Sequence, residues 1–369
     1  MKSKFFPALA TLVGTTMGAG FLGLPYIVAK SGFLIGLIYM VFVFAFILLV
    51  KLYLGEIDLR TKGNFQLTGY AKKYLGKTGK AIMFFSMIFG IFSALIAYLI
   101  AEGTSISFII FGNFNYAFLF SIAFWFLMTI MTYIGLKALK KYEKIGVVLI
   151  LALVALIFLF FIGRVNIENL TYSGKEIFAP FGVVVFSFLA FSAMPEVGRI
   201  LSGQEKLTKK VVLIGMLIPL IVYLIFTFVV VGVYGKNVNE IATLSLGRFF
   251  SILGVLTMFT AFFTQTIVIR DMFRFDYGLG RFKGWLLACF LPLILFLLIS
   301  IFKLATFIQI LSIAGIVSGG LTGILILLMN IKAKKLGNRK PEYSIKINWF
   351  IILALSLIFI AAVIAEFVL

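Results

Sequence analysis

One stretch near the N-terminus is the most informative about the fold: Val13-Gly14-Thr15-Thr16-Met17-Gly18-Ala19-Gly20-Phe21-Leu22-Gly23-Leu24-Pro25. It places four glycines and a proline inside an otherwise apolar segment. Each glycine costs about 1 kcal/mol relative to alanine in a helix interior, so the segment is predicted to unwind. Gly14 and Gly18 also form a small-xxx-small pattern, which is typical of closely packed membrane helices. From this stretch alone, unwinding and close packing are both open.

The composition around this stretch is that of a membrane protein. Of the 369 residues, 63% are hydrophobic and only 12% are charged, which excludes an ordinary soluble domain. Apolar runs of about 20 residues, long enough to cross a bilayer core of about 30 Å, recur along the chain. We therefore predict a multi-pass integral protein of the plasma membrane, with the lipid bilayer as a partner.

Several function classes are excluded by the residues that the chain lacks. It contains no histidine and one cysteine, Cys289, so it offers no zinc or haem ligand set and no Ser/His or Cys/His catalytic pair. We expect no enzyme activity and no cofactor. The net charge of +20 comes from basic residues in short segments between apolar runs, where charge sets membrane orientation. Nucleic acid is not an expected partner.

Charged, glycine, proline and asparagine residues divide the chain into eleven predicted spans. These are residues 5 to 29, 33 to 57, 80 to 112, 115 to 136, 145 to 163, 176 to 202, 210 to 234, 243 to 271, 283 to 302, 304 to 330 and 347 to 368. With the N-terminus inside, 27 of the 33 lysines and arginines fall on the cytoplasmic side, Lys51 among them, and six fall outside. The positive-inside rule therefore favours a cytoplasmic N-terminus and an outside C-terminus.

A second interruption lies in the sixth predicted span, in the run Phe186-Ser187-Phe188-Leu189-Ala190-Phe191-Ser192-Ala193-Met194-Pro195-Glu196-Val197-Gly198. Pro195 followed by Glu196 is typical of a helix start, although a simple proline kink is the alternative. Interruptions in spans one and six predict two inverted five-span repeats within one transmembrane domain, because a repeat with an odd number of spans is inverted. The repeats would be residues 5 to 163 and 176 to 330, with a peripheral span at 347 to 368.

The freed backbone at these interruptions has a chemistry of its own. Unpaired N–H groups near Gly18 and Gly20, beside a helix N-terminus, favour a carboxylate. Unpaired carbonyls around residues 190 to 193, and near Gly14 and Thr15, favour an ammonium group or a cation. The two poles, a few ångström apart, suit a zwitterion such as an α-amino acid.

The run from Gly14 to Tyr26, followed by Ala29-Lys30-Ser31-Gly32-Phe33, resembles the first-helix signature of the amino acid/auxin permease family. Residues 188 to 195 occupy the place of that family's broken sixth helix. The family belongs to the amino acid-polyamine-organocation superfamily. The resemblance implies an all-α membrane protein with the LeuT-type fold: about eleven helices in a 5+5 inverted repeat plus one peripheral helix, with helices 1 and 6 interrupted.

The resemblance also implies site residues. Tyr98 occupies the place of a third-helix tyrosine that closes over the substrate carboxylate in some relatives, with an ordinary buried aromatic as the alternative. Thr260 falls where sodium-coupled relatives place adjacent hydroxyls, but Ala261 follows it. Several proton-coupled relatives carry a lysine in helix five, and residues 145 to 163 contain none. The candidate substrate-binding residues are Thr15, Thr16, Gly18, Ala19, Gly20, Tyr98, Ala190, Phe191 and Ser192.

The ion-coupling candidates combine backbone, hydroxyl and acidic groups. Glu102 is interpreted either as a protonatable gate above the substrate or as a hydrated carboxylate at the outer boundary. Glu196 is interpreted as a proton relay, as a partner of Arg199 or as a stabilising acid at a helix N-terminus. The full set is Gly14, Met17, Thr260, Thr264, Glu102 and Glu196, in which Gly14, Met17 and Thr260 are the candidate Na⁺ ligands.

These observations lead to an expected function. We expect a secondary active transporter that moves a neutral α-amino acid with an apolar or aromatic side chain by alternating access, driven by H⁺ or Na⁺, with H⁺ favoured. A neutral side chain is expected because no charged residue stands near the predicted break. An amino acid sensor, or an uncoupled channel or exchanger of the same fold, is the alternative.

Overall fold

The computed structural model describes residues 3–63, 65–134 and 137–347, and its regular elements there are all helical. The α-helices are α1 Phe5–Thr16, α2 Gly20–Ser31, α3 Phe33–Leu59, α4 Leu67–Phe111, α5 Ala117–Ile134, α6 Lys137–Phe161, α7 Glu168–Thr171, α8 Pro180–Phe188, α9 Met194–Ile200, α10 Thr208–Tyr234, α11 Ala242–Ser245, α12 Arg248–Phe275, α13 Arg281–Phe302, α14 Phe307–Ala314 and α15 Gly320–Leu336.

Within the described residues, nine helical stretches are long and apolar enough to cross a membrane, and the bent pair α1 and α2 makes a tenth. Each of the first ten predicted spans overlaps one of these stretches. The eleventh, 347 to 368, lies outside the described residues beyond its first position. Large apolar side chains such as Phe6, Leu34, Val148 and Leu159 are at least 65% exposed, as expected for surfaces that face lipid.

The first span is broken as predicted. The axes of α1 and α2 differ by 48°, and residues 17 to 19 separate the two helices. The Met17 N–H still donates to Val13 O at 2.9 Å, and the Gly18 N–H donates to Thr16 O at 3.0 Å. The expectation of a free N–H at Gly18 is therefore wrong, because a tight local turn satisfies it.

The sixth span is broken as well, and the break precedes the proline. Helix α8 ends at Phe188, Ala190 adopts a left-handed conformation with φ 45°, and a 3₁₀ turn covers Phe191–Ala193. Helix α9 then begins at Met194, with Pro195 in its first turn. The interpretation of Pro195 as a helix start is confirmed, and a simple proline kink is wrong because the chain leaves the helix several residues earlier.

Helix α4 is longer than predicted. It begins at Leu67 rather than near residue 80 and contains one non-helical residue, Gly76, with φ 75°. The lysine-rich stretch before Gly76 is helical because its other face buries Leu67, Tyr70 and Tyr74. This first part of α4 places Leu67 in the hydrophobic core.

One predicted surface charge lies in the interior. Lys51, counted above with the cytoplasmic loops, has no exposed side-chain area and sits inside α3. That placement was wrong because the apolar helix continues past Lys51 for another two turns, to Leu59. The cytoplasmic count falls by one, and the charge asymmetry keeps its direction.

Candidate functional site

The two breaks meet at a small cavity of about 60 Å³ near the middle of the helices. Span one contributes glycines and threonines to it, span six contributes both large apolar and small residues, and α4, α12 and the tenth span close its sides. The lining residues are Thr15, Thr16, Gly18, Gly20, Leu67, Met87, Gly90, Ile91, Ala94, Tyr98, Phe186, Leu189, Ala190, Phe191, Ser192, Gln265, Ser318 and Thr322. None of them carries a formal charge.

The cavity brings together eight of the nine candidate substrate-binding residues. The ninth, Ala19, lies beside it, between the two lining residues Gly18 and Gly20. The hydroxyls of Thr15 and Thr16 donate to Thr11 O and Leu12 O, each at 2.7 Å. Their remaining hydrogen-bonding capacity in the cavity is therefore as acceptors.

Two glycines of the first break are required for close approach. A Cβ at Gly18 would lie 2.5 Å from the Tyr98 Oη, and a Cβ at Gly20 would lie 2.7 Å from the Ser187 Cα. The first of these contacts is with the end of a side chain and the second is with backbone. Close packing, the alternative raised for Gly14 and Gly18, is therefore present at Gly18 together with the unwinding, and Gly20 shows it as well.

A tyrosine that the sequence analysis missed joins the two breaks. The Tyr223 hydroxyl on α10 lies 2.9 Å from both Thr16 O and Ser187 O, at the ends of α1 and α8. Its ring is fully buried between Phe21 and Phe188, with ring centroids 5.8 and 5.0 Å away. Its position in the middle of an apolar span was the available signal, because a phenol buried there needs a hydrogen-bond partner.

Lys51 was also missed as a site residue. Its Nζ donates to the Thr16 Oγ1 at 3.3 Å and lies 2.9 Å from the Met216 Sδ. Thr16 thus separates the lysine from the cavity by one side chain. The signal was a lone lysine five residues before the nearest other charge of its helix, Glu56.

Gln265 on α12 is the third missed residue. Its side chain lines the cavity, and its Oε1 accepts a long hydrogen bond of 3.4 Å from the Ser192 Oγ. This contact joins the sixth and eighth spans. Its amide N–H groups make no hydrogen bond with a described residue, so they are available as donors.

A larger vestibule of about 590 Å³ adjoins the cavity. It shares Thr15 and Ser192 with the cavity and extends between α1, α6, α9 and α12 toward the side of the protein on which α1 begins. Its wall includes Asp271 and the ion pair between Glu196 and Arg199, at 2.8 Å. Of the three interpretations of Glu196, the pairing with Arg199 is confirmed, and so is its place as an acid in the first turn of a helix, α9. The proton relay remains a prediction.

The family of the chain follows from comparison with known proteins. A model of the tryptophan/tyrosine permease family matches residues 1–245, which is well over half of the sequence and includes both breaks and Tyr223. The chain belongs to the tryptophan/tyrosine permease family. Membership in a permease family agrees with the prediction that the chain is not an enzyme. The finer resemblance to the amino acid/auxin permease family remains a prediction.

Two individual proteins are similar to this permease-family chain. The glutamine transporter 2 of Aliivibrio fischeri is 25% identical over 252 residues, which cover 66% of this chain and 64% of that protein. The crystal structure of MhsT in complex with L-phenylalanine has a TM-score of 0.72 and 15% identity, and it covers 100% of this chain and 98% of that one. The likeness to MhsT confirms the predicted LeuT-type fold.

Three ion-coupling candidates of the permease-family chain surround a separate void. Gly14, Thr260 and Thr264 line a space of about 10 Å³ between α1, α6 and α12, which is about the room that one water molecule needs. The Thr260 and Thr264 hydroxyls donate to Thr257 O and Thr260 O, each at 3.0 Å. Met17 is buried but is not part of this lining.

The last candidate, Glu102, lies one helical turn beyond Tyr98 on α4 and is fully buried. Neither of its carboxyl oxygens has a hydrogen-bond partner within the described ranges. The interpretation as a hydrated carboxylate at the outer boundary is therefore wrong. The gate interpretation remains a prediction, as does the binding role of every residue placed around the cavity.

Proposed function

We propose that this permease-family chain is a secondary active transporter for a neutral α-amino acid with an apolar or aromatic side chain. The observation that carries the proposal is the uncharged cavity formed where the breaks of spans one and six meet. A ligand held there would contact both halves of the chain. It could therefore control their relative movement, as alternating access requires.

The two breaks suit the two charged groups of an amino acid. Gly20, the first residue of α2, lines the cavity, and a helix N-terminus favours a carboxylate. Around Ala190 and Ser192 the chain is outside a regular α-helix. The carbonyls of Ala190 and Phe191 are not unpaired, as the sequence led us to expect, because each accepts a hydrogen bond, from the N–H groups of Ala193 and Met194. Each keeps a second lone pair, which would accept from an ammonium group. These poles would hold the amino acid backbone, and the side walls would select its side chain.

The walls of the cavity support a neutral substrate side chain. Met87, Ile91, Phe186 and Phe191 are apolar, and Gln265 adds one neutral polar group. A charged side chain would find no charged partner among the lining residues and would lose its hydration. The Gln265 Oε1 would accept a hydrogen bond from the indole N–H or phenol O–H of an aromatic substrate. Gln265→Leu should therefore weaken the binding of tryptophan and tyrosine more than that of phenylalanine.

The vestibule suggests which side the site faces. We assign the side on which α1 begins to the cytoplasm of the cell, because most lysines and arginines fall there under the positive-inside rule. On this assignment the cavity communicates with the cytoplasm through the vestibule. Transport would then require residues 5 to 163 and residues 176 to 330 to move against each other and open the opposite side.

A proton gradient is the proposed driving force, and Na⁺ is the alternative. The void at Gly14, Thr260 and Thr264 favours the alternative, because it has room for a single small ligand between a broken helix and two hydroxyls. Against Na⁺, both hydroxyls already donate to backbone carbonyls of their own helix, and Ala261 stands where a second adjacent hydroxyl is needed.

The test is uptake of labelled tryptophan, tyrosine, phenylalanine, leucine and glutamine into liposomes that contain the purified protein. Proton and sodium gradients are imposed separately, and liposomes without protein are the control. Accumulation under the proton gradient would support the proposal, and accumulation under Na⁺ alone would replace the driving ion. Exchange that neither gradient drives would indicate an exchanger, and binding without flux would indicate a sensor. Either of the last two results would overturn coupled transport.

A further inference from the structure

Lys51 is a buried amine without an anionic partner. Its side chain has no exposed area, and within the described ranges its Nζ hydrogen-bonds only to the Thr16 Oγ1 and the Met216 Sδ. A lysine ammonium has three N–H donors, and here it meets one hydroxyl at 3.3 Å and one thioether, which is a weak acceptor. No carboxylate of the described residues lies within ion-pair distance of it.

The acidic groups on the same helix as Lys51 are engaged elsewhere. Glu56 lies five residues further along α3, about 7.5 Å along its axis, and pairs with Arg60 at 2.8 Å and Lys334 at 2.9 Å. Asp58 accepts a hydrogen bond from the Tyr70 hydroxyl. Neither carboxylate is therefore positioned to balance a charge on Lys51.

The helices packed against α3 supply no counter-ion either. Helices α1 and α8 contain no titratable side chain. On α10 the Tyr223 phenol is directed at the carbonyls of Thr16 and Ser187, and on α9 Glu196 pairs with Arg199. The remaining titratable groups of the packed helices are Tyr26 and Lys30 on α2, Glu168 on α7, Lys209, Lys210 and Tyr234 on α10, and Lys332, Lys334 and Lys335 on α15.

Thr16 connects this amine to the substrate cavity. Its hydroxyl donates to Leu12 O and accepts from Lys51, its side chain lines the cavity, and its carbonyl accepts from Tyr223. It is also the last residue of α1 before the break. An anion that enters the cavity at the break would therefore approach the lysine with only the Thr16 side chain between them.

We propose that Lys51 is the proton-binding residue that couples transport to the proton gradient, taking up one proton when the substrate carboxylate occupies the cavity beside Thr16. The proposal rests on the function proposed above. The neutral amine gains a proton from the water to which the cavity is open and becomes an ammonium ion. It returns that proton when the amino acid leaves on the other side.

The physical reason is mutual compensation of charge. A buried ammonium without an anion is strongly disfavoured by its lost hydration, and a carboxylate nearby restores much of that loss. Proton and substrate therefore bind more tightly together than alone, which is the reciprocal linkage that a symporter needs. A Lys51 with a merely structural role would show no such linkage.

The test measures protons and substrate in the same sample. Amino acid is added to purified protein in weakly buffered detergent solution between pH 6 and 9, and proton uptake per bound substrate is recorded. The full-length wild type should take up about one proton per substrate at some pH in this range. Lys51→Met and Lys51→Arg should take up none, and Lys51→Met should bind about tenfold more weakly. The matched control is Lys62→Met, which removes an exposed lysine near the end of the same helix and should behave as wild type.

The two lysine variants guard against misfolding, because one removes the charge and the other keeps it without allowing it to titrate. Size-exclusion profiles identify the folded samples. Uptake of about one proton per substrate by folded Lys51→Met or Lys51→Arg overturns the assignment of Lys51, and so does a wild type that takes up none across the range. Absence of amino acid binding and of exchange in wild-type liposomes would instead overturn the proposed function.

Discussion

The two broken spans differ in how their sequences produce the break. The first contains four glycines between Val13 and Pro25, yet none of them has a positive φ. The sixth has no glycine at its break, and there Ala190 adopts the left-handed conformation, φ 45°, that normally favours glycine. The glycines of the first break thus serve close approach, to Tyr98 at Gly18 and to Ser187 at Gly20.

The two breaks are therefore stabilised in different ways. The first depends on close contacts that are possible only because glycine has no side chain. The second keeps Ala190 in a strained backbone conformation, which the residues around it must hold in place. A left-handed conformation costs a non-glycine residue about 1–2 kcal/mol. Substitutions at the first break should therefore act through steric overlap, and substitutions at the sixth through backbone energy.

The largest expected effect is that of Gly18→Leu. The added side chain would start 2.5 Å from the Tyr98 hydroxyl and extend into the cavity, so we expect substrate binding to be lost while the protein stays folded. Binding is measured by a radioligand assay and folding by size-exclusion chromatography. The matched control is Gly163→Leu, because a Cβ at that exposed glycine meets nothing within 4 Å. Normal binding by Gly18→Leu would remove Gly18 from the site.

The next effect is that of Gly20→Ala, which adds a single methyl group against backbone. Its Cβ would lie 2.7 Å from the Ser187 Cα, so spans one and six must separate, at a cost of about 1–3 kcal/mol. A lower thermal midpoint in detergent and slower uptake are expected. Gly163→Ala is the control and should leave both unchanged. An unaltered midpoint for Gly20→Ala would show that the two spans are not in close contact.

A smaller effect is expected when the link between the breaks is removed. Tyr223→Phe keeps the buried ring and deletes the hydroxyl that reaches Thr16 O and Ser187 O, which costs about 1–3 kcal/mol if a buried carbonyl is left unpaired. Tyr39→Phe is the control, because that hydroxyl makes no hydrogen bond with a described residue. Equal thermal midpoints for the two variants would contradict the bridging role of Tyr223.

The smallest effect is expected at the break of span six, where a substitution should raise stability instead of lowering it as at the first break. Ala190→Gly removes the left-handed strain but adds freedom to the unfolded chain, which leaves a net stabilisation of up to about 1 kcal/mol. Ala193→Gly, in the same segment but with φ −74°, should instead lower stability by about 0.5–1 kcal/mol. Thermal midpoints of the two variants are compared with wild type. A lower midpoint for Ala190→Gly would mean that Ala190 is not strained.

Much of the fold was predictable from the sequence, because apolar length and helix breakers act locally. The break near Gly18 follows from glycines, which disfavour a helix at that point. The break before Pro195 follows from the proline, which cannot continue a helix from the residues that precede it. The early start of α4 at Leu67 was not predictable in the same way, since lysines on one face of a helix and loop lysines look alike until the buried face has a partner.

From the residues alone, the site was predictable only where the breaks form it, and the family resemblance added Tyr98. Thr16, Gly18 and Ser192 belong to the breaks themselves and were found with them. Lys51 and Gln265 come from other helices, and which helix face is turned to the cavity depends on packing between spans that are distant in sequence. A lone lysine inside an apolar helix was a usable signal, but Lys51 was counted with the lysines and arginines of the cytoplasmic side and was not considered as a site residue.

The most direct test of the central claim is an experimental structure of the protein with the amino acid that it transports bound at saturation. We predict ligand density in the cavity between the two breaks, with the carboxylate near Gly18 and Gly20 and the ammonium group near Ala190 and Ser192. Ligand density at another place, with this cavity empty, would contradict the account.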